Sequence, residues 1–177
     1  MTDIGKQIHD MGLKFGVFSA AGIKSCVSGA GSLAYEQTDA MDFAQWGVDY
    51  LKYGDCNGIG LPAYNRFTSM RDALNKTGRS IYYSIAKSDD NSVFDGSIAN
   101  SWRTSTKARE GWDSVKTNFL KNNLYQQKAG PGAWNDPDLL STGLGLLSNL
   151  EERTQFALWA LSKAPLLLSV PLRVLNY

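Results

Sequence analysis

The sequence predicts an α/β protein built on a parallel sheet, because strand-like segments alternate with segments of helical spacing along the whole chain. With 177 residues, 43% of them hydrophobic, the chain is long enough to bury the core of one domain. We count roughly six strand–helix units, whereas a closed (β/α)8 barrel needs eight. The alternation taken alone therefore favours a doubly wound sheet of about six strands.

The individual elements are predicted from periodicity and from the residues that end them. Helical spacing runs from Ile4 to Met11 and stops at Gly12, a favourable residue just beyond a helix. Ser148 and Glu151 fit a capping box at the start of the last helix. The remaining elements, in chain order, are a strand at 13–19, a helix at 35–46, a strand at 48–53, a helix at 62–75, a strand at 80–85, a short strand at 101–103, a helix at 110–121, a brief strand at 132–134, a helix at 149–162 and a buried final strand at 165–170.

Composition excludes several classes of function. The net charge of +1, from 18 Lys and Arg against 17 Asp and Glu, gives no electrostatic case for binding nucleic acid or an anionic membrane. No G-x-G-x-x-G or Walker A motif supports nucleotide binding. The single histidine, His9, lies in the first predicted helix, so we expect no His-based triad and no His-rich metal site. No cofactor is expected.

Features that bear on the compartment point in different directions. The N-terminus has no hydrophobic signal segment, which taken literally favours the cytosol. Cys26 and Cys56 each follow a predicted strand, and a pairing between them is one reading. Asn75, in the sequence Asn-Lys-Thr, forms a glycosylation sequon. Two free thiols and a chance sequon are the alternatives, and the residues alone leave both open.

The most informative segment is the predicted strand at 48–53 together with the residues that follow it. Lys52, Asp55 and Cys56 lie at its carboxyl end, where α/β barrels place their chemistry. The stretch 47–57 resembles the nucleophile strand of the α-galactosidase / α-N-acetylgalactosaminidase family, glycoside hydrolase family 27, which ends Lys-Tyr-Asp-Asn-Cys. Further segments carry the same resemblance in the same order: 9–19, 32–36, 43–49, 70–75, 100–104, 129–138 and 164–168.

The resemblance implies a fold and an activity. The fold is an incomplete (β/α)8 barrel of the TIM type, about strands three to eight, forming one partial domain over residues 1–177 without the C-terminal β-sandwich of the family. The activity is hydrolysis of terminal α-linked galactose with retention of configuration, in a secreted protein with a Cys26–Cys56 disulfide. Strands one and two, which grip galactose in the family, have no counterpart here. We therefore expect open barrel edges that favour self-association.

The catalytic positions depart from the family. A retaining glycosidase uses two carboxylates about 5–5.5 Å apart, one as the nucleophile and one as the acid/base. The resemblance places the nucleophile at Gly54 and the acid/base at Lys107, and neither is a carboxylate. Lys87 and Ser88 replace a Glu and a Trp of the same pocket. We expect an inactive or nearly inactive chain. Asp55 is the alternative nucleophile, disfavoured because adjacent strand residues face opposite sides.

Other pocket residues of the family are retained. Lys52 and Arg103 match groups that hydrogen-bond galactose hydroxyls, and Asp136 and Asp138 match the acidic loop after strand seven. Without the resemblance, Lys52 reads equally as a solvated lysine, Arg103 as barrel packing and 135–138 as a turn. Three hypotheses result: an inactive galactosidase-family protein, a non-catalytic protein that binds galactose or α-galactosides, and a degenerate barrel fragment. The residues do not distinguish galactose from N-acetylgalactosamine.

Overall fold

The computed structural model describes residues 1–86, 96–105 and 111–174. The chain divides into two compact units, Met1–Asn100 and Ser101–Tyr177. Strands and helices alternate in each unit, as the sequence predicts. Within the described ranges, no helix combines the length and the hydrophobicity that a membrane span requires.

The first unit is a three-stranded parallel sheet with helical crossovers. Its elements are α1 (Thr2–Asp10), β1 (Gly16–Ala20), α2 (Glu36–Gln45), β2 (Tyr50–Gly54), α3 (Ala63–Lys76) and β3 (Tyr82–Ala86). β2 pairs in parallel with β1 on one side and with β3 on the other. Parallel neighbours require a crossover connection, and α2 and α3 supply it.

The core of the first unit lies on the face of the sheet that α3 covers. Alternate residues of a strand point to opposite faces, and the fully buried Leu51 and Tyr53 share one face of β2. The Tyr53 ring contacts Phe67 of α3 edge-on, with the centroids 6.0 Å apart. On β3, Tyr83 packs against Tyr53 at 5.9 Å. The opposite face of β2 is thereby left to carry the polar side chain of Lys52.

The second unit contains a pair of short parallel strands and two helices. Its elements are β4 (Ser101–Arg103), α4 (Trp112–Asn123), β5 (Trp134–Asp136) and α5 (Asn149–Leu161), with 3₁₀ turns at Gln126–Lys128 and Leu172–Val174. β4 pairs with β5 so that Arg103 lies opposite Asp136. The buried cluster of this unit consists of Val115, Leu140, Trp159 and Ala164.

The predicted capping box at the start of α5 is confirmed. The Ser148 hydroxyl accepts from the Glu151 backbone N–H, and the Glu151 carboxylate accepts from the Ser148 backbone N–H at 2.8 Å. Two otherwise unsatisfied donors at the helix start are thereby paired. The helix boundary was predictable because this device is local in sequence.

The predicted buried strand at 165–170 is wrong. Among the described residues, Leu168 makes an isolated parallel bridge with Leu140, and no named strand forms there. Leu166 and Leu168 are 43% and 37% exposed. An apolar run resembles a buried strand in sequence, but a strand requires a neighbouring backbone to pair with it along its length.

The brief strand predicted at 132–134 instead begins at Trp134 and continues to Asp136. Gly130 and Ala133 exchange backbone hydrogen bonds, and Gly132 has φ +82°. These residues form a tight turn that glycine permits, so the extended conformation starts after it.

Candidate functional site

The carboxyl ends of β1, β2 and β3 meet at one edge of the first unit, and the resemblance places the nucleophile there. The last residues of the three strands are in register: Ala20, Gly54 and Ala86. This row therefore carries no side chain longer than a methyl group. Because a retaining glycosidase attacks the sugar with a carboxylate, this row lacks the group that the first chemical step requires.

Two neighbouring side chains lie close to Gly54. A Cβ atom placed on Gly54 would lie 2.8 Å from Cys26 Sγ and 3.1 Å from Phe18 Cζ. Phe18 lies two residues before Ala20 on the same face of the sheet, in register with Lys52 and Ser84. The position that the resemblance assigns to the nucleophile thus lies between a sulfur atom and an aromatic ring.

The predicted pairing of Cys26 with Cys56 is confirmed. The two residues form a disulfide with a Cα–Cα distance of 5.3 Å, within the usual range. The bond ties the loop after β1 to the loop after β2. The side-chain amide of Asn57 reinforces the tie, because it donates to the carbonyls of Lys24 and Ser25 at 3.1 and 3.2 Å.

Asp55, the alternative nucleophile, is held in a buried ion pair. Arg66 Nη2 donates to Asp55 Oδ1 at 2.6 Å, and the two side chains are 7% and 13% exposed. The same guanidinium donates to the carbonyls of Ala21 at 2.7 Å and Leu61 at 3.0 Å. The carboxylate of Asp55 therefore belongs to a structural network that joins three loop segments.

Sequence reasoning missed Arg66. It lies in the first turn of α3, where an arginine ordinarily points into solvent, and nothing local to it marks it as buried. A signal was present at Gly58, where a Cβ atom would lie 2.5 Å from the guanidinium carbon of Arg66. Close approach of another group is a recurrent reason for glycine.

Lys52 lies on the same face of β2 as Gly54, two residues before it, because side chains alternate along a strand. Its register partners are Phe18 and Ser84, and its side chain is half-buried. The backbone thus directs Lys52 to the face on which the resemblance places the sugar. Its role in binding stays a prediction.

The predicted binding residues of the second unit lie close to one another. Arg103 Nη1 is 3.7 Å from Asp138 Oδ2, and the side chains are 11% and 7% exposed. Asp136 Oδ1 accepts from the Asp138 backbone N–H at 2.8 Å. The Asp138 carbonyl accepts from Trp159 Nε1 at 2.6 Å, and Asp138 has φ +83°. Asn135 and Asp136 thus belong to β5, and the binding role of Asp136 and Asp138 stays a prediction.

Three residues that depart from the family's pocket, Lys87, Ser88 and Lys107, lie outside the described residues.

Asn75 of the predicted glycosylation sequon is exposed near the end of α3, and the Thr77 hydroxyl of the sequon donates to the Leu74 carbonyl at 2.7 Å. Its glycosylation stays a prediction. In the described part of the chain, no group of three or more His, Cys, Asp or Glu residues is arranged to hold a metal ion.

Comparison with known proteins agrees with the resemblance. A family model described as Alpha galactosidase A matches residues 1–177. Alpha-galactosidase 3 of Arabidopsis thaliana is 46% identical over 168 residues, which are 94% of this chain and 38% of the plant protein. The alpha-galactosidase of Cyamopsis tetragonoloba is 41% identical over 172 residues, which are 96% of this chain and 42% of that protein. The chain thus spans about two fifths of the length of these relatives.

Solved structures agree as well. Alpha-galactosidase I from Mortierella vinacea matches 99% of this chain and 50% of its own with a TM-score of 0.92 at 35% identity. The alpha-galactosidase of Saccharomyces cerevisiae matches 99% of this chain and 45% of its own with a TM-score of 0.91 at 33% identity. These matches confirm the predicted fold class, an incomplete parallel (β/α) barrel. Since the family model extends over every residue, the chain belongs to the alpha-galactosidase family, glycoside hydrolase family 27.

Proposed function

We propose that this chain is a member of the alpha-galactosidase family that does not hydrolyse α-galactosides. The observation that carries the proposal is the strand-end row of the first unit, where Ala20, Gly54 and Ala86 present no carboxylate. Without a nucleophile, the covalent glycosyl-enzyme intermediate of a retaining mechanism does not form. Lys107, which the resemblance aligns with the acid/base, is also unsuited to protonate the leaving oxygen as a carboxylic acid does.

The pairing of Asp55 with Arg66 supports the same proposal. An attacking carboxylate must reach the anomeric carbon, whereas Asp55 Oδ1 accepts a charged hydrogen bond of 2.6 Å in a buried setting. Freeing it would leave the guanidinium of Arg66 buried without its counter-ion, which is strongly destabilising. Asp55 therefore does not replace the missing nucleophile.

The direct test is turnover of an aryl α-galactoside by the purified chain, measured against a blank and against the Asp55→Ala variant. We expect no release of the aryl alcohol above the blank from either protein. Turnover by the wild-type chain that Asp55→Ala abolishes would overturn the proposal and assign the nucleophile to Asp55. Turnover that survives Asp55→Ala would equally overturn it and point to another group.

A second candidate function is galactoside binding without hydrolysis. It is favoured by the buried Arg103–Asp138 pair. It is also favoured by the placement of Lys52 on the face of β2 opposite the one that α3 covers. Both relatives compared above are named alpha-galactosidases, and a solved structure of the S. cerevisiae protein contains raffinose. The ligands to test are thus galactose and raffinose.

Calorimetric titration with galactose distinguishes this candidate from a protein without a ligand. Binding that Arg103→Ala removes, and that the exposed-site control Arg153→Ala keeps, supports the candidate. Absence of heat at millimolar galactose in the wild-type chain rejects it. The preference for galactose over N-acetylgalactosamine can be read from the same titration with each sugar.

We further propose an oxidising, secretory compartment, because disulfides such as Cys26–Cys56 persist in such compartments and are rare in the cytosol.

Residues 1–177 are proposed to fold as one domain. They are also proposed to self-associate, because β1 has no second strand partner among the described residues of the first unit. One cooperative thermal transition and a concentration-dependent mass in sedimentation are the expected observations. A broad, non-cooperative transition would favour the degenerate fragment instead.

A further inference from the structure

We infer that Asn75 carries an N-linked glycan whose first sugar docks in a cavity at the amino ends of the strands of the first unit. The inference goes beyond the proposed lack of hydrolysis and rests on the proposed secretory compartment, where such glycans are attached. The residues of the cavity that bear on the inference, which is the Asn75 cavity from here on, are Lys14, Tyr50, Asn75, Arg79, Ile81 and Tyr82.

The sequon of Asn75 is accessible and lies at the wall of this cavity. Asn75 is exposed, is the residue before the last of α3, and itself lines the cavity. Attachment transfers an oligosaccharide from a lipid diphosphate. A bond forms between Asn75 Nδ2 and C1 of the first N-acetylglucosamine, the bond from C1 to the phosphate oxygen breaks, and the amide nitrogen loses one proton. Thr77 supplies the hydroxyl that the acceptor sequence requires.

Volume distinguishes between two cavities that Asn75 lines. The Asn75 cavity has a volume of about 700 Å³, within the range of about 300–1,000 Å³ that is usual for small-molecule sites. The other cavity, beside Arg71 and Ser97, has a volume of about 190 Å³ and falls below this range. A sugar linked to Asn75 therefore fits the larger of the two.

The Asn75 cavity has an aromatic wall that is fixed before a sugar arrives. Tyr50 and Tyr82 stack with their ring centroids 5.4 Å apart, and the Tyr82 hydroxyl donates to the Asn100 carbonyl at 3.2 Å. The half-buried Ile81 adds apolar surface to the cavity. A pyranose ring carries C–H groups on its faces, which pack against apolar and aromatic side chains such as these.

The same cavity has hydrogen-bond donors for the polar rim of the sugar. Arg79 Nε donates to the Val48 carbonyl at 2.8 Å, and Nη2 donates to the Gly47 carbonyl and to Asp49 at 2.9 Å each. These bonds fix the guanidinium, whose Nη1 has no hydrogen-bond partner among the described residues. The Lys14 side chain is 84% exposed. Both groups donate, whereas sugar hydroxyls and the acetamido carbonyl accept.

The covalent link means that the site needs little affinity. A sugar joined to the wall of the cavity by a short linkage has an effective concentration in the millimolar range. If this concentration is about ten times the dissociation constant, the sugar is docked about nine-tenths of the time. Docking of this extent protects the linkage about tenfold against an enzyme that must reach it.

The experiment uses the chain secreted by a eukaryotic host and the variant Asn75→Gln/Ala160→Asn, which moves the sequon to α5. The control is matched, because Ala160 is also exposed and is also the residue before the last of its helix. The Ser162 hydroxyl donates to the Leu158 carbonyl at 2.9 Å, much as Thr77 donates to Leu74. Mass spectrometry first identifies the glycosylated residue.

We expect a peptide-N-glycosidase to release the glycan about tenfold more slowly from the folded wild-type chain than from the folded control. After denaturation the two rates should be equal. Equal rates from the folded proteins would overturn the inference, and so would a secreted wild-type chain without carbohydrate on Asn75.

A second variant keeps the sequon and fills the cavity. Ser80 is exposed and lines the Asn75 cavity, so Ser80→Tyr places a ring where the sugar docks. We expect release to become about tenfold faster than from the wild-type chain, and to stay unchanged in Ser28→Tyr, an exposed serine of the loop after β1. Release from Ser80→Tyr at the wild-type rate would overturn the docking.

The outcomes separate this inference from the proposed function. Turnover of an aryl α-galactoside by the wild-type chain would reject the proposed function and leave the docked glycan unaffected. A glycan on Asn75 that is released as fast as that of the control would overturn the inference and leave the proposed compartment standing.

Discussion

The two ends of β2 have very different polar environments. At the amino end, the Asp49 carboxylate accepts from the Phe15 N–H and from Arg79 Nη2, both at 2.9 Å, and lies 2.8 Å from His9 Nε2. Lys14 Nζ is 3.9 Å away. At the carboxyl end, Gly54 has only small residues beside it in its row. One end of the strand keeps a charged network, and the other lacks the charge that hydrolysis needs.

The contrast separates stability from chemistry within one strand. In (β/α) barrels, residues at the amino ends of the strands serve stability, and residues at the carboxyl ends serve the reaction. The Asp49 network ties α1 and the loop before β3 to the start of β2, so its loss would lower the free energy of unfolding. The loop after the carboxyl end contributes the disulfide and the Asp55–Arg66 pair, which hold loops together.

The largest effect is expected for Arg66→Ala, which removes one partner of the buried pair at the carboxyl end. The change leaves the Asp55 carboxylate buried without its counter-ion, so the free energy of unfolding should fall by about 3–5 kcal/mol. Urea denaturation measures it. The control is Lys6→Ala, whose pair with Asp10 is exposed and should change stability by less than about 0.5 kcal/mol. Equal effects of the two substitutions would contradict the structural role of Arg66.

The next effect is that of Asp49→Asn at the amino end. The amide keeps the size of the side chain but loses the charge that faces Arg79 and His9. We expect a loss of about 2–3 kcal/mol in the free energy of unfolding, because charge-assisted hydrogen bonds are replaced by weaker ones. Urea denaturation at neutral pH measures the loss. A variant as stable as the wild-type chain would contradict the stabilising role of the Asp49 charge at the amino end of β2.

The same network predicts a pH dependence. Burial raises the pKa of Asp49, but the Phe15 N–H, His9 and Lys14 lower it by more, so the pKa in the folded chain lies below its ordinary value. A depressed carboxyl pKa contributes stability that is complete above the unfolded pKa of about 4 and is lost as the pH falls through the folded pKa.

Urea midpoints of the wild-type chain and Asp49→Asn, measured at a series of pH values, test this dependence. The difference between the two proteins should be constant above about pH 5 and should shrink below about pH 4. A difference that stays constant down to about pH 3 would contradict the role of the Asp49 charge.

The smallest expected effect is no effect at all. Restoring both carboxylates with Gly54→Asp and Lys107→Asp should give no turnover of an aryl α-galactoside, because Lys87 and Ser88 still replace a Glu and a Trp of the same pocket. Kinetic assays of the double variant and of each single variant measure it. Turnover by the double variant would contradict this prediction and would mean that the two missing carboxylates are the only defect of the catalytic site.

What the sequence determined by itself was local or strongly patterned. The alternation of strands and helices predicted the parallel α/β fold, since the periods of 2 and 3.6 residues are visible in any single segment. The capping box at Ser148 and Glu151 was predictable for the same reason. The family motifs located Gly54 at a strand end and indicated the disulfide, because long matched segments fix position in the fold.

What only the tertiary structure decided depends on residues that are distant in sequence. Arg66 is buried because segments around Ala21, Asp55 and Leu61 converge on its guanidinium, and no sequence window contains all of them. The leucines at 166–168 are largely unpaired because strand formation depends on a neighbouring backbone and not on hydrophobicity. A sulfur atom from another loop, Cys26 Sγ, lies next to Gly54, and only the folded chain places it there. A sequence records which side chain a position has, whereas only the packed chain determines what else fills the space around it.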